Sequence, residues 1–349
     1  MRDLKAQLLT GRMAEVALDY ARGTRTPTEP RPASTVILLR NPPTAPEAAA
    51  PAAHQAAVPP AAHAAGEPSA AHAPAPAAHQ AAGPSTAHAA TGPSTAHAAA
   101  GRSTAHPADA RLAAHSVPAP EVYLLRRQRT MAFAAGMTVF PGGRVDATDS
   151  TVADSWSGPS PDWFGERLGC SAETAAAYVA AAVRETFEES GVLLAGPSAD
   201  SVVGDTTGAG WEADRVALET RELGFSEFLH RRGLVLRADL LGPWAHWITP
   251  EFEPKRYDTA FFVAALPSGQ VTRDVTSESD QVTWIRPADA VAAVDAGEVL
   301  MLPPTYVCCH ELSQYDDVAA ILDAAGRRAI RAIMPTVRVD GDQAYLETT

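Results

Sequence analysis

The chain has 349 residues, 46% of them hydrophobic and 20% charged, with a formal net charge of −13 at pH 7. That acidic balance excludes a basic nucleic-acid-binding surface and favours a soluble protein. Three cysteines, two of them adjacent (Cys308 and Cys309), are poor material for a disulfide framework. No apolar run approaches a membrane span, and neither the N-terminal residues nor the final "LETT" carries an address, so the expectation is a reduced, cytoplasmic protein without a membrane partner.

Residues 3–21 carry apolar positions at helical spacing and predict a helix interrupted by Gly11, so 1–33 reads as an N-terminal helix and linker. "STVILLR" (34–40) is short, apolar and β-branched, and predicts a buried strand. Residues 41–120 are mostly Ala, Pro, His, Ser, Thr and Gly, too apolar-poor to offset their ordering entropy, and predict a disordered low-complexity insertion. It is a degenerate nonapeptide repeat ("GPSTAHAAT", "GPSTAHAAA", "GRSTAHPAD") whose histidines fall at 54, 63, 72, 79, 88, 97, 106 and 115. A spacing of nine gathers no ligands onto one face of a helix or strand, so the histidines read as letters of the repeat; a metal-buffering role is the alternative. "EVYLLRR" (121–127) predicts a second strand, and with 34–40 a hairpin whose turn the insertion has swollen.

"MTVFPGGRVD" (137–146) predicts a short strand running into Pro-Gly-Gly. A helix is expected from Ser171, a good N-cap, to Ser190, with Gly191 as the stop, and another over 212–231. "AHWITP", "YDTAFFVAALP" and "DQVTWIRP" read as strands, 287–298 and 315–326 as helices, and "VRVDGDQAYLE" as a hairpin turning at Asp340-Gly341. The elements predict one α/β (α+β) domain comprising 34–40 and 121–349.

The densest chemistry lies in "AAVRETFEESGVLL" (181–194). On a helix Glu185, Glu188 and Glu189 stand at i, i+3 and i+4 and share one face. Three carboxylates there repel one another, and a hard divalent ion, Mg²⁺ or Mn²⁺, resolves the conflict. Arg184 is placed to pair with Glu188 one turn on, and the Gly142-Gly143 backbone, lacking Cβ atoms, can approach the same ion.

Together with "FPGGRVD" (140–146), this segment resembles the Nudix box, with Gly143, Arg184, Glu185, Glu188, Glu189, Gly191 and Val192 filling its slots. Gly143 and Arg184 are 41 positions apart where the pattern has 14, so 27 residues are inserted; the pattern's early Glu falls at Ala176, with Glu173 one turn earlier. Trp156, Trp163 and Phe164 in the insert predict that it packs. The resemblance implies an α/β/α sandwich with a mixed sheet and a catalytic helix after a Gly-Gly loop. It also implies metal-dependent hydrolysis of a nucleoside diphosphate conjugate, a small molecule. Glu185, Glu188, Glu189 and Gly143 are then the metal ligands; Arg184 is the orienting residue, and Glu188, Glu189 or Glu278 the candidate base.

"GMTVFPGGRVD", "WITPEFEPKRYDTAFFVAALP" and "LPPT" are similar to a split-box branch that includes coenzyme A diphosphatases. That resemblance implies coenzyme A or acyl-coenzyme A as substrate, with NADH, ADP-ribose or a non-catalytic sensor as alternatives. A coenzyme A signature of other members has Arg where this chain has Ala132, with Arg129 nearest. Lys255, Arg256, Arg129 and Arg144 are the candidate phosphate contacts, beside Arg126 and Arg127, because guanidinium suits bidentate phosphate binding. Trp244, Trp247, Phe252 and Tyr257 could stack on a base or belong to the core. Pro303-Pro304-Thr305 reads as a loop near the site.

Overall fold

A computed structural model describes residues 6–42, 119–130, 134–152, 155–275 and 279–348. The histidines of the repeat, Ala132 and Glu278 lie outside the described residues. The chain opens with strand β1 (Ala6–Leu8) and helix α1 (Gly11–Ala21). The helix expected from residue 3 therefore begins only at Gly11, whose φ of +57° breaks it from what precedes. Residues 6–8 are drawn instead into a ladder with the C-terminal end of the chain, a pairing that no local pattern announces.

Next come β2 (Arg31–Arg40), β3 (Glu121–Arg127), β4 (Thr138–Val139) and β5 (Gly142–Arg144). The stretch between the two halves of the motif holds β6 (Trp156–Ser157) and α2 (Pro161–Leu168), and leads into α3 (Ala172–Ser190). Then follow β7 (Ala195–Gly196), α4 (Ala209–Glu219), α5 (Phe225–Arg232), β8 (Val235–Arg237), β9 (Gly242–Ile248), β10 (Tyr257–Ala265) and β11 (Ser279–Ile285). Helices α6 (Pro287–Asp295), α7 (Pro303–Leu312) and α8 (Val318–Arg327), strand β12 (Ala332–Ile333) and the hairpin β13 (Thr336–Asp340) and β14 (Gln343–Glu347) complete the order. The helix expected over 212–231 is two, α4 and α5, because Arg221 sits left-handed at φ +61° between them. The apolar rhythm runs through the break because Leu218, Leu223, Phe225 and Phe228 all reach one core.

The central sheet is mixed, in the order β11-β3-β2-β10-β9-β12, with β4 on β3 and β5 on β2. β2 begins three residues before the expected strand because its parallel partner β10 carries the ladder on to Arg31. The hairpin expected across the repeat is present as two antiparallel pairs, Leu39 with Val122 and Arg40 with Glu121. Beyond them β3 turns away and β2 takes β5 as its neighbour, which seats Gly142 and Gly143 opposite Thr35 and Ser34.

The two faces of the sheet bury different residues, as a period of two requires. Val36, Leu38, Tyr123, Leu125, Ala260 and Phe262 face a core with α3 and its neighbours. Ile37, Leu39, Val122, Leu124, Phe261 and Val263 face a core with α6, α7 and α8. The insert packs as expected: Phe164 is fully buried and makes edge-on contacts with Trp156, Trp163 and Phe262.

Candidate functional site

Helix α3 is built by a capped start, an alanine-rich shaft and a glycine stop. The Ser171 hydroxyl accepts the Thr174 N–H, and Gly191 ends the helix at φ +73°. The alanines let the shaft pack close to its neighbours, so that it is buried along most of its length. The final two turns break the electrostatic preference of a helix, because Glu185, Glu188 and Glu189 lie near its negative end. A local rule broken in a well-packed element marks a site under functional constraint.

Gly143 lies against the first of these carboxylates: a Cβ there would collide with the Glu185 carboxylate, and one at Gly142 with the Ser34 carbonyl. The Gly142 N–H donates to Glu189 Oε2 at 2.8 Å, so the loop orients this carboxylate directly. Strand β5 thus rejoins the two halves of the motif across the inserted residues.

Arg184 is the hub. It is 4% exposed and donates to Glu188 Oε1 and Oε2 at 3.1 and 3.2 Å, and to Glu185 Oε1 at 2.9 Å. It also donates to the Arg144 carbonyl at 2.8 Å. Its remaining bonds go to Asp149, a fully buried carboxylate of the insert that accepts from Nε and from a terminal nitrogen, both at 3.0 Å. Asp149 is itself held by the Asp146 N–H, in a capping box that opens a short 3₁₀ turn. Sequence reasoning missed Asp149; the signal was present as the Asp-x-x-Asp spacing in "DATD". Glu173 is exposed in the first turn of α3, eleven residues and about 16 Å of helix rise from Arg184, so it takes no part in this network.

One guanidinium faces Asp146, Asp149, Glu185 and Glu188 within 3.9 Å. Burial first, then the neighbouring Glu185, pushes the Glu188 carboxyl up to about 8. Burial also raises Glu185 and Asp149, while the surrounding carboxylates hold Arg184 firmly charged. Hard oxygen donors carrying more negative charge than Arg184 balances suit a divalent ion such as Mg²⁺ or Mn²⁺. Among the described residues no group of three His, Cys, Asp or Glu stands ready to hold an ion, and Arg184 donates to both Glu185 and Glu188.

The cluster opens into a cavity of about 1220 Å³. Arg127, Arg144, Arg184 and Arg221 line it, and Arg221, which the sequence reading did not name, also pairs with Asp146 at 3.0 Å. Among the other named cations, Lys255 and Arg129 are exposed and outside the lining. Arg256 is buried at 7%, its guanidinium given to the carbonyls of Thr249 and Thr28 and to Met334 Sδ. Residues 301–306 form part of the wall, and Pro303 there opens helix α7 rather than a loop. Trp247, Phe252 and Tyr257 also line the cavity, whereas Trp244 lies in the core beneath the sheet.

Residues 166–312 match a family model described as the NUDT19 Nudix domain. A Caenorhabditis elegans relative assigned to the nudix hydrolases is 29% identical over 56% of this chain and 57% of its own. The acyl-coenzyme A diphosphatases NUDT19 of Gallus gallus and Homo sapiens are each 26% identical, over 58% and 64% of this chain and 63% and 72% of theirs. The chain thus spans 57–63% of the length of the first two of these relatives. In fold, the chain is similar to the crystal structure of a NUDIX hydrolase from Alicyclobacillus acidocaldarius. The TM-score is 0.56 at 19% identity, with 85% of this chain and 96% of that one covered.

Proposed function

From a chain that belongs to the Nudix family, we propose a metal-dependent diphosphatase acting on coenzyme A or acyl-coenzyme A. The products are 3′,5′-ADP and (acyl)phosphopantetheine. The observation that carries this reading is the convergence of Glu185, Glu188, Glu189, Arg184 and the Gly142-Gly143 loop at one end of a large cavity. The NUDT19 relatives point to the substrate class. In this reading Glu185, Glu188 and Glu189, with the Gly143 backbone, hold Mg²⁺ or Mn²⁺, which supplies charge neutralisation for the diphosphate. Arg144 and Arg221, on the cavity wall, bind phosphate oxygens and offset charge on the leaving phosphate.

Glu189, oriented by the Gly142 N–H, or Glu188 accepts the proton of the attacking water; Glu278 is a further candidate base. Arg184 stays out of the proton transfer and keeps Glu188 aimed, because its surrounding carboxylates hold it charged against the cost of burial. The expression of the domain as 34–40 with 121–349, interrupted by a low-complexity insertion, belongs to the same proposal.

The test is chromatographic. The protein is incubated with Mg²⁺ or Mn²⁺ and, in parallel, coenzyme A, ADP-ribose and NADH, beside Glu189→Gln. Release of 3′,5′-ADP from coenzyme A, reduced about a hundredfold or more in the variant, is the expected result. Cleavage of NADH or ADP-ribose alone rejects the substrate and keeps the chemistry. Nucleotide binding without cleavage of any of the three rejects the hydrolase.

A further inference from the structure

The cavity of about 1220 Å³ exceeds the roughly 300–1,000 Å³ of ordinary small-molecule sites, and its two ends differ in chemistry. One end carries the carboxylate cluster with Arg144 and Arg221. The other is walled by Leu8 and Leu9, by Met13 of α1, by Phe252 from the β9–β10 connection and by Leu346 of β14. The sheet sets the distance between them. Arg144, Ala33, Thr259 and Trp247 lie in one row across β5, β2, β10 and β9, so three strand spacings, about 14 Å, separate the Gly-Gly loop from Trp247. Ala33, Thr259 and Trp247 all line the cavity, so this row is its floor.

The far wall is both apolar and open. Leu8 is 44% exposed and Met13 49%, two of the six large apolar side chains exposed among the described residues, and both border this one cavity. Exposed apolar side chains grouped on a concavity mark a binding surface. The wall is nevertheless fixed in place: Leu9 and Phe252 are buried at 6% and 5% in a small core with Ala17 and Ala344. Glu253 lines the same region, and burial raises its carboxyl, the response of an acid in weakly polar surroundings.

We propose that this end receives an aliphatic chain covalently linked to the nucleotide diphosphate whose anhydride lies at the Glu185–Glu189 end. Chain-bearing conjugates are then the preferred substrates over unacylated coenzyme A. The proposal rests on the diphosphatase reading above and adds the specificity determinant. Three leucines and an unbranched methionine suit methylenes, whereas a purine edge requires hydrogen-bond partners that these side chains lack. Leu8, Leu9, Met13 and Leu346 lie outside the segment that matches the family model, so chain selection belongs to the terminal segments of this protein.

The experiment compares kcat/KM for lauroyl-coenzyme A and coenzyme A in the full chain. Burial is worth about fourfold per methylene, so a preference of tenfold or more for the acylated substrate is expected. Leu8→Asp and Met13→Asp bring that ratio towards one, and Met13→Trp shifts the optimum to shorter chains. Val339→Asp, at an exposed apolar position outside the cavity, leaves the ratio at its wild-type value. Binding of 11-(dansylamino)undecanoate, followed by fluorescence, reads the same wall without hydrolysis, and circular dichroism reports folding of each variant. Equal kcat/KM for the two substrates in the wild type, or a ratio unmoved in folded Met13→Asp and Met13→Trp, overturns the proposal. Absent hydrolysis with probe binding that Met13→Asp abolishes rejects the diphosphatase and supports the chain site. Hydrolysis of coenzyme A with neither chain preference nor probe binding does the reverse.

Discussion

Arg184 serves four carboxylates with one charge, and the order of its commitments explains why the site tolerates a split motif. Its Nε and one terminal nitrogen go to Asp149, which leaves the other terminal nitrogen for Glu185 and Glu188. Asp149 therefore fixes the guanidinium plane, and through it the Glu188 carboxylate. Removing one member of a buried ion pair strands the other charge. Asp149→Ala is expected to lower stability by about 3–5 kcal/mol in urea unfolding and to reduce kcat for any substrate the site accepts. Asp149→Asn, which keeps an acceptor and the side-chain shape, loses less of both. A variant with wild-type kcat and an unchanged urea midpoint would remove Asp149 from the network.

At the scale of elements, the residues between Gly143 and Arg184 behave as a part of the fold. Helix α2 has its own cap, the Ser160 hydroxyl accepting the Trp163 N–H, Pro161 at its first position and Gly169 left-handed at its end. Phe164 projects from it into the core that holds Phe262 of the central sheet, with Trp156 and Trp163 against its edges. Phe164→Ala leaves a cavity the surroundings cannot close and is expected to cost about 3–5 kcal/mol, measured as a shift in the denaturant midpoint at constant slope. Loss of any hydrolysis should accompany that shift only near the unfolding transition, because Asp146 and Asp149 reach the site from a separately capped turn.

At the scale of the molecule, the last residue of β2 and the first of β3 are paired neighbours, Arg40 opposite Glu121, although 80 residues of sequence separate them. A connection of half a dozen residues spans that gap. Replacing 43–118 by a short Gly-Ser linker is expected to preserve the fold and any hydrolysis. Loop-closure entropy predicts a gain of about 2 kcal/mol, since each doubling of loop length costs about 0.6 kcal/mol. Thermal unfolding and the chromatographic assay check both. Lost activity in a folded deletion variant would give the repeat a functional role. No helix among the described residues is long and apolar enough to cross a membrane.

Much of this was legible in the residues themselves. Helix α3 was, because Ser171, the alanine shaft, the three glutamates and Gly191 are local signals within one continuous element. So were β2, β3, β9, β10 and β11, since short apolar, β-branched or aromatic runs need no partner to be recognised, whereas β5 and β12 are strands only through their pairing with β2 and β9. The break between α4 and α5 was not, because both helices bury their apolar faces in one core and a single rhythm runs through them. The phosphate-contact candidates divided on exposure and pairing, which composition does not carry: Arg127 and Arg144 line the cavity, while Arg256 spends its donors on backbone carbonyls.

Sequence by itself determined that Glu185, Glu188 and Glu189 share one helix face, because their i, i+3, i+4 placement follows from helix geometry alone. Only the tertiary structure decided what completes it. Asp149 meets Arg184 across 35 residues, and Leu8 pairs with Tyr345 across far more. Those meetings depend on which strands pair: β5 with β2, and β1 with β14. Pairing over such distances is set by the burial of both sheet faces at once, a property of the whole chain that no local window contains.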